Sequence, residues 1–302
     1  MVILVTGGSG LIGNRLITYL ESLGHRVVSL VRSRERITEK SALWSTSTGY
    51  FDWDDSVGID AVVHLAGETI LGRWSQAKKA RIRDSRVDIT RNLCEYLASL
   101  KSPPKTLVAA SATGFYGDRG EESLSEKSLP GSGYLPSVCQ LWEAATTPAV
   151  EAGIRVVNLR IGMVLTPEGG ALASMLKPFR LGLGGKVGNG RQYMSWISRE
   201  DLLAIIRYAV ETEEFSGPVN AVSPQPVTNK EFTQVLGLAV NRPTLFSIPS
   251  LFVRLALGEM GKDVLLASAK VIPVRLQELS FPYCHTELSA TLDDLLLRSL
   301  SD

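Results

Sequence analysis

The amino end of the chain joins a strand to a helix through a glycine-rich turn. Residues 2–5 read V-I-L-V, an apolar run typical of a strand buried on both faces of a parallel sheet. The turn T-G-G-S-G follows, and apolar residues then recur at helical spacing from Leu11 to Leu23. A strand, a glycine turn and a helix in this order form the setting in which a dinucleotide-binding turn works. This stretch therefore predicts the first βα unit of a Rossmann-type sheet.

The glycines of the turn are spaced G-x-x-G-x-x-G. Glycine lets the backbone turn tightly and brings bare amides close to a pyrophosphate. The first turn of the helix then presents its unpaired N–H groups and its positive dipole end to that anion. A plain βα turn that uses glycine for positive φ is the alternative. The residues that we expect to contact a dinucleotide here are Gly7, Ser9, Gly10, Leu11, Ile12 and Gly13.

The residue that closes the second strand, predicted over 26–31, indicates which dinucleotide binds. A carboxylate about twenty residues past the glycines would accept hydrogen bonds from the 2′-hydroxyl of NAD. Arg32 holds this position, and Ser33, Arg34 and Arg36 follow it. Guanidinium groups suit a 2′-phosphate, so we predict NADP(H), contacted by Arg32 and Ser33. A solvated basic loop is the alternative.

Strands and helices alternate through the first half of the chain, which predicts an α/β fold with a doubly wound parallel sheet. Right-handed crossovers then bring the carboxyl ends of the strands to one rim. His64 lies inside a strand and is interpreted as a core histidine. The predicted strands are 50–54, 60–67, 105–111 and 154–162, and the predicted helices are 75–100 and 134–151. The further residues expected to border the cofactor at this rim are Leu65, Ala66, Gly67, Glu68, Arg83, Ser111 and Arg160.

The domain organisation follows from where this alternation stops. Residues 1–165 are predicted to form the NADP-binding domain, and residues 195–225 to return to it with a helix and a last strand over 217–222. Residues 166–302 are predicted to form a smaller, α-rich substrate lobe. This lobe includes a C-terminal helical domain over 248–298.

Substrate contacts are expected in the first part of that lobe. Residues 169–190 read as a loop rich in glycine and cations, and an aromatic segment follows it. Such a loop can wrap an anionic substrate, and a flexible connection is the alternative. The candidate contacts are Arg180, Lys186, Gln192 and Trp196, although Trp196 is equally well explained as a core residue.

Composition excludes several classes of partner. The formal net charge of +1 provides no field for nucleic acid or an anionic membrane, and no apolar run has the length of a membrane span. The three cysteines lack metal-ligand spacing, so no metal site is predicted and a reducing compartment is expected. A strand that starts at residue 2 leaves no room for a signal peptide, so a cytoplasmic protein is expected. A small-molecule substrate remains as the partner, and exposed helix faces leave a homodimer open.

Four segments in order carry a resemblance to a known family: T-G-G-S-G-L-I-G (6–13), H-L-A-G (64–67), S-A-T-G-F-Y-G (111–117) and N-L-R-I-G (158–162). Together they resemble the extended short-chain dehydrogenase/reductases, the NAD-dependent epimerase/dehydratase family. Residues 178–197 and 257–276 are more narrowly similar to the atypical YfcH-like epimerase family proteins, which carry a small C-terminal domain. The resemblance implies a Rossmann fold and NADP(H) binding.

The resemblance also implies where catalysis would occur. In the wider group a Ser or Thr hydrogen-bonds the substrate, and a Tyr-x-x-x-Lys helix supplies the acid and base. Ser111, Thr113 and Tyr134 are the matching candidates, but Val138 stands four residues after Tyr134 where lysine is required.

A second alignment, anchored on Glu143, puts Leu135 and Cys139 in the two places. Neither alignment restores the pair. An NADP(H)-dependent oxidoreductase or epimerase with a sugar-nucleotide-like substrate is thus weighed against an NADPH-binding redox sensor or scaffold. Arg160 would contact the cofactor or an anionic group, or would be a buried ion-pair partner.

Overall fold

The computed structural model describes residues 1–53 and 57–298. Its strands are short, as expected for a parallel sheet whose strands are separated by helices. In chain order the strands are β1 (Val2–Thr6), β2 (Arg26–Val31), β3 (Ser41–Leu43), β4 (Ala61–His64), β5 (Thr106–Ala112), β6 (Ser123–Leu124), β7 (Arg155–Ile161), β8 (Met163–Leu165), β9 (Gly185–Val187), β10 (Tyr193–Met194), β11 (Trp196–Ser198), β12 (Gly217–Ala221), β13 (Val227–Thr228), β14 (Phe246–Ile248) and β15 (Lys270–Val271).

Helices connect these strands and form most of the C-terminal part of the chain. Short 3₁₀ turns cover residues 34–36 and 113–116, and a π-helical turn covers 261–265. In chain order the α-helices are α1 (Leu11–Ser22), α2 (Gln76–Asp84), α3 (Val87–Ser99), α4 (Tyr134–Ala144), α5 (Thr147–Glu151), α6 (Gly170–Arg180), α7 (Arg199–Glu211), α8 (Asn229–Ala239), α9 (Ser250–Met260), α10 (Val274–Glu278) and α11 (Leu288–Arg298).

Seven strands form one parallel sheet in the order β12-β7-β5-β4-β1-β2-β3. Alternate residues of β1 explain its burial on both faces. Ile3 and Val5 pack with Leu16 of α1 in one core cluster, while Leu4 packs with Leu93 of α3 in another. The strand order reverses at β1, between β2 and β4, which is where ligands bind in open α/β sheets. The predicted doubly wound parallel sheet is confirmed.

The third strand does not lie where the sequence indicated. We expected it over 50–54, whereas the sheet is completed by β3, which pairs with β2. Phe51 instead makes an isolated antiparallel bridge to Trp44 and is buried in the core. The aromatic residues gave the stronger hydrophobic signal, but the strand itself has only Ala42 buried. The last residue of the predicted strand, Asp54, lies outside the described residues.

The structure divides two of the predicted helices into two shorter helices each. The stretch 75–100 is broken between α2 and α3 at Ser85 and Arg86. The stretch 134–151 is broken between α4 and α5, and Pro148 lies in the first turn of the second helix, which begins at Thr147. The glycine-rich segment 169–190 is not only a loop, because α6 occupies half of it.

The C-terminal part of the chain packs around a separate core. Helices α6, α8 and α11 enclose a cluster that includes Leu176, Phe232 and Leu292. Trp196 of β11 is fully buried in the same cluster and donates its indole N–H to the Gln225 carbonyl. The edge strand β12 returns the chain to the main sheet beside β7.

Candidate cofactor site and active site

The glycine turn between β1 and α1 has no room for side chains. Gly7 adopts φ +74°, and a Cβ on it would lie 2.9 Å from the carbonyl carbon of Leu65. A Cβ on Gly13 would lie 2.3 Å from the Gly7 carbonyl oxygen. Gly10 is the N-cap residue of helix α1 and provides no side-chain cap for the first N–H groups of the helix. These bare amides at a helix N-terminus are the arrangement that binds a phosphate.

A buried hydrogen-bond chain holds the β4 end against this turn. The Thr6 hydroxyl accepts from the N–H groups of Leu65 and Ala66 at 3.1 and 3.2 Å. Since both lone pairs are then used, its proton goes to His64 Nδ1, 2.8 Å away. His64 therefore carries its proton on Nε2 and donates it to Thr90 at 3.0 Å. Burial lowers the pKa of His64 to about 4, so it is a neutral core histidine, as predicted.

The predicted basic cluster lies at the carboxyl end of β2. Arg32, Arg34 and Arg36 are exposed there, and none forms an ion pair with another described residue. The Ser33 hydroxyl accepts from the Glu35 N–H and caps the short turn. β2 is hydrogen-bonded to β1, so these cations lie beside the strand that leads into the glycine turn.

The loop after β4 brings a different arginine into the site from the one predicted. Arg83 is exposed and paired with Asp84 at 2.7 Å, so its predicted cofactor contact is not supported. Arg86, which is not among the predicted cofactor contacts, lies under the loop. A Cβ added to Gly67 would lie 3.5 Å from the guanidinium carbon of Arg86. The Arg86 guanidinium donates a hydrogen bond to the Glu68 carbonyl at 3.0 Å. Burial lowers the pKa of Arg86, which shows how far its charge is withdrawn from water.

Glu68 itself turns toward the basic start of α2. Its carboxylate accepts a hydrogen bond from Lys78 at 2.8 Å, and this contact lowers the pKa of Glu68. Its N–H donates to the Ser85 hydroxyl at 3.1 Å. The loop that was expected to border the cofactor is therefore fastened to the α2–α3 junction.

Ser111 is part of a buried polar cluster. It lies opposite Arg160 in the β5–β7 register, so the two side chains share a face of the sheet. The Ser111 hydroxyl donates to Glu143 Oε1 at 2.7 Å. Arg160 donates to both oxygens of the same carboxylate, each at 2.8 Å. Two-point contact of this kind orients the carboxylate and fixes the Ser111 hydroxyl.

Arg160 is held on every side by this cluster. It is 4% exposed, donates to the Tyr116 hydroxyl at 2.9 Å and to the Glu126 carbonyl at 3.2 Å, and stacks 3.5 Å from the Phe115 ring centroid. The buried ion-pair interpretation is therefore correct. The prediction that Arg160 contacts a cofactor or anion is not supported by these contacts.

The structure decides between the two alignments of the acid–base helix. A Cβ on Gly114 would lie 3.6 Å from Leu135 and 3.7 Å from the Cys139 sulfur, so these two residues face the 113–116 turn. Tyr134 turns away, donates its hydroxyl proton to the Lys79 carbonyl at 2.5 Å and packs on Trp74. Burial raises the pKa of Tyr134 above its ordinary value. This geometry gives no support to the predicted role of Tyr134 as a proton carrier, and that role stays a prediction.

Cys139 stands where the lysine of the pair would be. Burial raises the pKa of its thiol to about 12, so it carries no charge at neutral pH. Arg86 stacks over Trp142, one helical turn along α4, with its guanidinium carbon 5.0 Å from the ring. Its positive charge also acts on the Cys139 thiol. A cation is thus present beside this position, but it comes from the start of α3.

Thr113 keeps its hydroxyl available. The Thr113 hydroxyl oxygen lies 3.5 Å from the Ile161 carbonyl oxygen, a distance too long for a strong hydrogen bond. The side chain is half-buried at the end of β5, whereas Ser111 is only 3% exposed. Thr113 is therefore the more exposed of the two residues.

The predicted substrate contacts separate into different places. Trp196 has no exposed surface, so it is corrected to a core residue. Gln192 is 7% exposed and donates to the Val187 and Leu265 carbonyls. Gln192 lines an open groove of about 400 Å³ with Arg191 and Arg254. Arg180 is exposed at the end of α6, and Lys186 is half-buried on β9.

Comparison with known proteins gives the family. The model of the "NAD dependent epimerase/dehydratase family" matches residues 3–221, and a domain of unknown function, DUF1731, matches 248–295. The chain therefore belongs to the NAD-dependent epimerase/dehydratase family. The epimerase family protein ML0860 of Mycobacterium leprae is 41% identical over 96% of this chain and 94% of that protein. The epimerase family protein YfhF of Bacillus subtilis is 34% identical over 98% of both chains.

Solved structures of the same family have the same fold. The human epimerase family protein SDR39U1 (isoform 2), solved with NADPH, matches with a TM-score of 0.89 at 33% identity over 98% of this chain and 99% of that chain. A nucleoside-diphosphate sugar epimerase of Corynebacterium glutamicum matches with a TM-score of 0.80 at 34% identity over 98% of this chain and 58% of that chain. Within residues 1–53 and 57–298, no helix of this family member is long and apolar enough to cross a membrane.

Proposed function

We propose that this epimerase-family chain binds NADP(H) and acts as an oxidoreductase or epimerase on a small polar substrate of the sugar-nucleotide type. The glycine turn is the observation that carries the proposal. Its bare amides meet an uncapped helix N-terminus where a single added methyl group would collide with backbone. Such a cradle fits the diphosphate of a dinucleotide.

Cations around the turn support the phosphorylated form of the cofactor. Arg32 and its neighbours carry exposed charge without an ion-pair partner among the described residues, which suits a 2′-phosphate. Arg86 brings a second positive charge under the Gly67–Glu68 loop. NADP(H), when bound, supplies a hydride donor or acceptor. The human relative SDR39U1 was solved with NADPH, which agrees with this choice.

The residues at the end of β5 would then handle the substrate oxygen. We assign hydrogen-bond donation to Thr113, because its hydroxyl has no close partner among the described residues. Ser111 already donates its proton to Glu143, so it can only accept from a substrate hydroxyl. The Arg160 guanidinium orients the Glu143 carboxylate, which in turn fixes the Ser111 hydroxyl. Arg160 and Glu143 are therefore positioning residues.

A titration of the full chain with NADPH and NADH tests the cofactor. We expect NADPH to bind at least tenfold more tightly, and Arg32→Ala to remove about tenfold to a hundredfold of NADPH affinity, because a charge-assisted hydrogen bond is worth about 1.5–3 kcal/mol. Arg26→Ala is the matched control, since Arg26 is an exposed arginine at the opposite end of the same strand. Equal affinity for both cofactors would refute the preference.

A second function, an NADPH-binding sensor or scaffold, is favoured by the geometry of α4. Tyr134 donates its proton to a backbone carbonyl, and Cys139 is a neutral thiol where the lysine would be. The two functions differ in turnover. NADPH oxidation with a carbonyl or sugar-nucleotide substrate that falls in Thr113→Val would support the enzyme. Thermal stabilisation by NADPH with no turnover on any substrate panel would support the sensor.

A further inference from the structure

The segment 241–256 leaves an unusual amount of apolar surface exposed. Of its large hydrophobic side chains, only Val253 is buried. Side chains at positions 251 and 255 are four residues apart on α9 and lie on one side of it, with 252 beside them. We call these exposed residues the apolar face: Leu245 (87% exposed), Phe246 (56%), Leu251 (67%), Phe252 (64%) and Leu255 (68%).

The apolar face is continuous with the surface formed by residues 177–191. β14 pairs in parallel with β9, and Arg242 donates to the Arg180 carbonyl at 3.0 Å. Leu181 and Leu183, on the connection between α6 and β9, are 66% and 60% exposed. Monomeric proteins seldom expose clusters of this kind unless something contacts them.

The chain segments that build this surface carry charge of a single sign. The stretches 169–199 and 232–258, which build this surface, contain no Asp or Glu. Their arginines and lysines form no ion pair with a described residue except for Arg199, which pairs with Glu168 and Glu200. Outside these stretches, Glu121 lines the same groove as Arg191 and Arg254. The unpaired cations are Lys177, Arg180, Lys186, Arg191, Arg242 and Arg254.

We propose that this surface docks on an anionic phospholipid membrane. Exposed Leu and Phe side chains can enter the boundary between headgroups and acyl chains, while arginines and lysines remain among the anionic headgroups. A second copy of the chain is a poorer occupant, because a two-fold contact would place the same unpaired cations opposite one another. Nucleic acid is also a poorer one, because five of the seven exposed apolar side chains are leucines, which cannot stack on bases as aromatic rings do.

The whole-chain charge conceals this property. A formal net charge of +1 averages these two acid-free stretches with the acid-containing remainder of the chain, which is why composition indicated no membrane contact. The apolar residues are also spread over a strand and a short helix. No single stretch therefore has the length or periodicity of a membrane segment.

Flotation of the full chain with vesicles tests the proposal. We expect binding to vesicles of phosphatidylcholine mixed with phosphatidylglycerol, and little to phosphatidylcholine alone. The double substitution Phe252→Ser and Leu255→Ser should lower the partition coefficient about a hundredfold, because both side chains are exposed and would otherwise be buried in lipid. Arg254→Glu should lower it about thirtyfold, since each cation near an anionic surface contributes about fivefold.

Matched controls change the same groups elsewhere. The pair Leu129→Ser and Val150→Ser removes apolar side chains that are 76% and 54% exposed outside the apolar face. Arg91→Glu changes the net charge as Arg254→Glu does, at an exposed position of α3. Both controls should bind like the parent chain, with the fold checked by circular dichroism. Absence of vesicle binding, equal binding to neutral vesicles, or a lipid-free dimer that the Phe252–Leu255 variant dissociates would each overturn the proposal.

Discussion

Replacing Arg160 with methionine tests whether this residue stabilises the fold or binds the cofactor. Methionine keeps much of the volume against Phe115 but removes both hydrogen bonds to Glu143. Breaking a buried ion pair by removing one partner costs about 3–5 kcal/mol. The Glu143 side chain is 14% exposed, so water can reach it and the lower end applies. We expect Arg160→Met to lower the free energy of unfolding by about 3 kcal/mol.

A double-mutant cycle separates the pair from its surroundings. Glu143→Met alone leaves a buried guanidinium without its carboxylate and should also be strongly destabilising. The double variant leaves no unpaired charge, although Ser111 and Tyr116 lose partners. Its loss should be smaller than the sum of the single losses by about 2 kcal/mol. Urea unfolding followed by tryptophan fluorescence gives all four free energies.

NADPH titration of the same variants completes the test. If Arg160 acts only through Glu143 and the strand ends, the affinity of folded Arg160→Met for NADPH should stay within about threefold of the parent, which corresponds to less than 1 kcal/mol. A more than tenfold loss of NADPH affinity at unchanged stability would refute the reasoning. That outcome would support the direct contact between Arg160 and the cofactor that the sequence predicted.

Three further outcomes follow from the described geometry. Gly13→Ala should abolish tight NADPH binding and lower the melting temperature. Gly58→Ala should do neither, because a Cβ added there meets no atom of the described residues within 4 Å. His64 has a folded pKa of about 4 against an ordinary 6.5. Its contribution to the free energy of unfolding, roughly 3 kcal/mol, is therefore complete above pH 6.5 and is lost as the pH falls toward 4. The difference in unfolding free energy between the parent and His64→Asn should shrink over that range, and a constant difference would contradict the assignment. Iodoacetamide at pH 8 should modify exposed Cys284 and leave Cys139 unmodified until the chain unfolds, as read by mass spectrometry.

Local signals predicted the cofactor cradle, because all of its parts are contiguous. β1, the glycine turn and α1 are one uninterrupted stretch, and each glycine has a steric reason that its spacing already expresses. The position of Arg32 follows in the same way from the end of β2. The third strand was misplaced because β3 is three residues long and carries almost no periodic signal.

Interactions between distant segments were beyond the reach of the sequence. The cluster of Ser111, Glu143 and Arg160 depends on the β5–β7 register and on the rotation of α4, neither of which a pattern of residues specifies. The inward position of Arg86, which the residue pattern did not indicate, has a clear physical cause. One continuous helix over 75–100 keeps a single phase, but the break between α2 and α3 changes the phase at that point and turns Arg86 inward.

Helix α4 has no lysine at the expected position, and the inward turn of Arg86 places a different cation beside it. A lysine at position 139 would lie on the same helix as a tyrosine and could lower its pKa, which the neutral thiol of Cys139 cannot do. Arg86 restores a cation beside that thiol, but the hydroxyl of Tyr134 is already committed to the Lys79 carbonyl. The charge is therefore available to a ligand under the Gly67–Glu68 loop and not to a tyrosine base. We therefore expect any proton transfer at this site to use Thr113, whose hydroxyl has no close partner among the described residues, or the substrate's own groups.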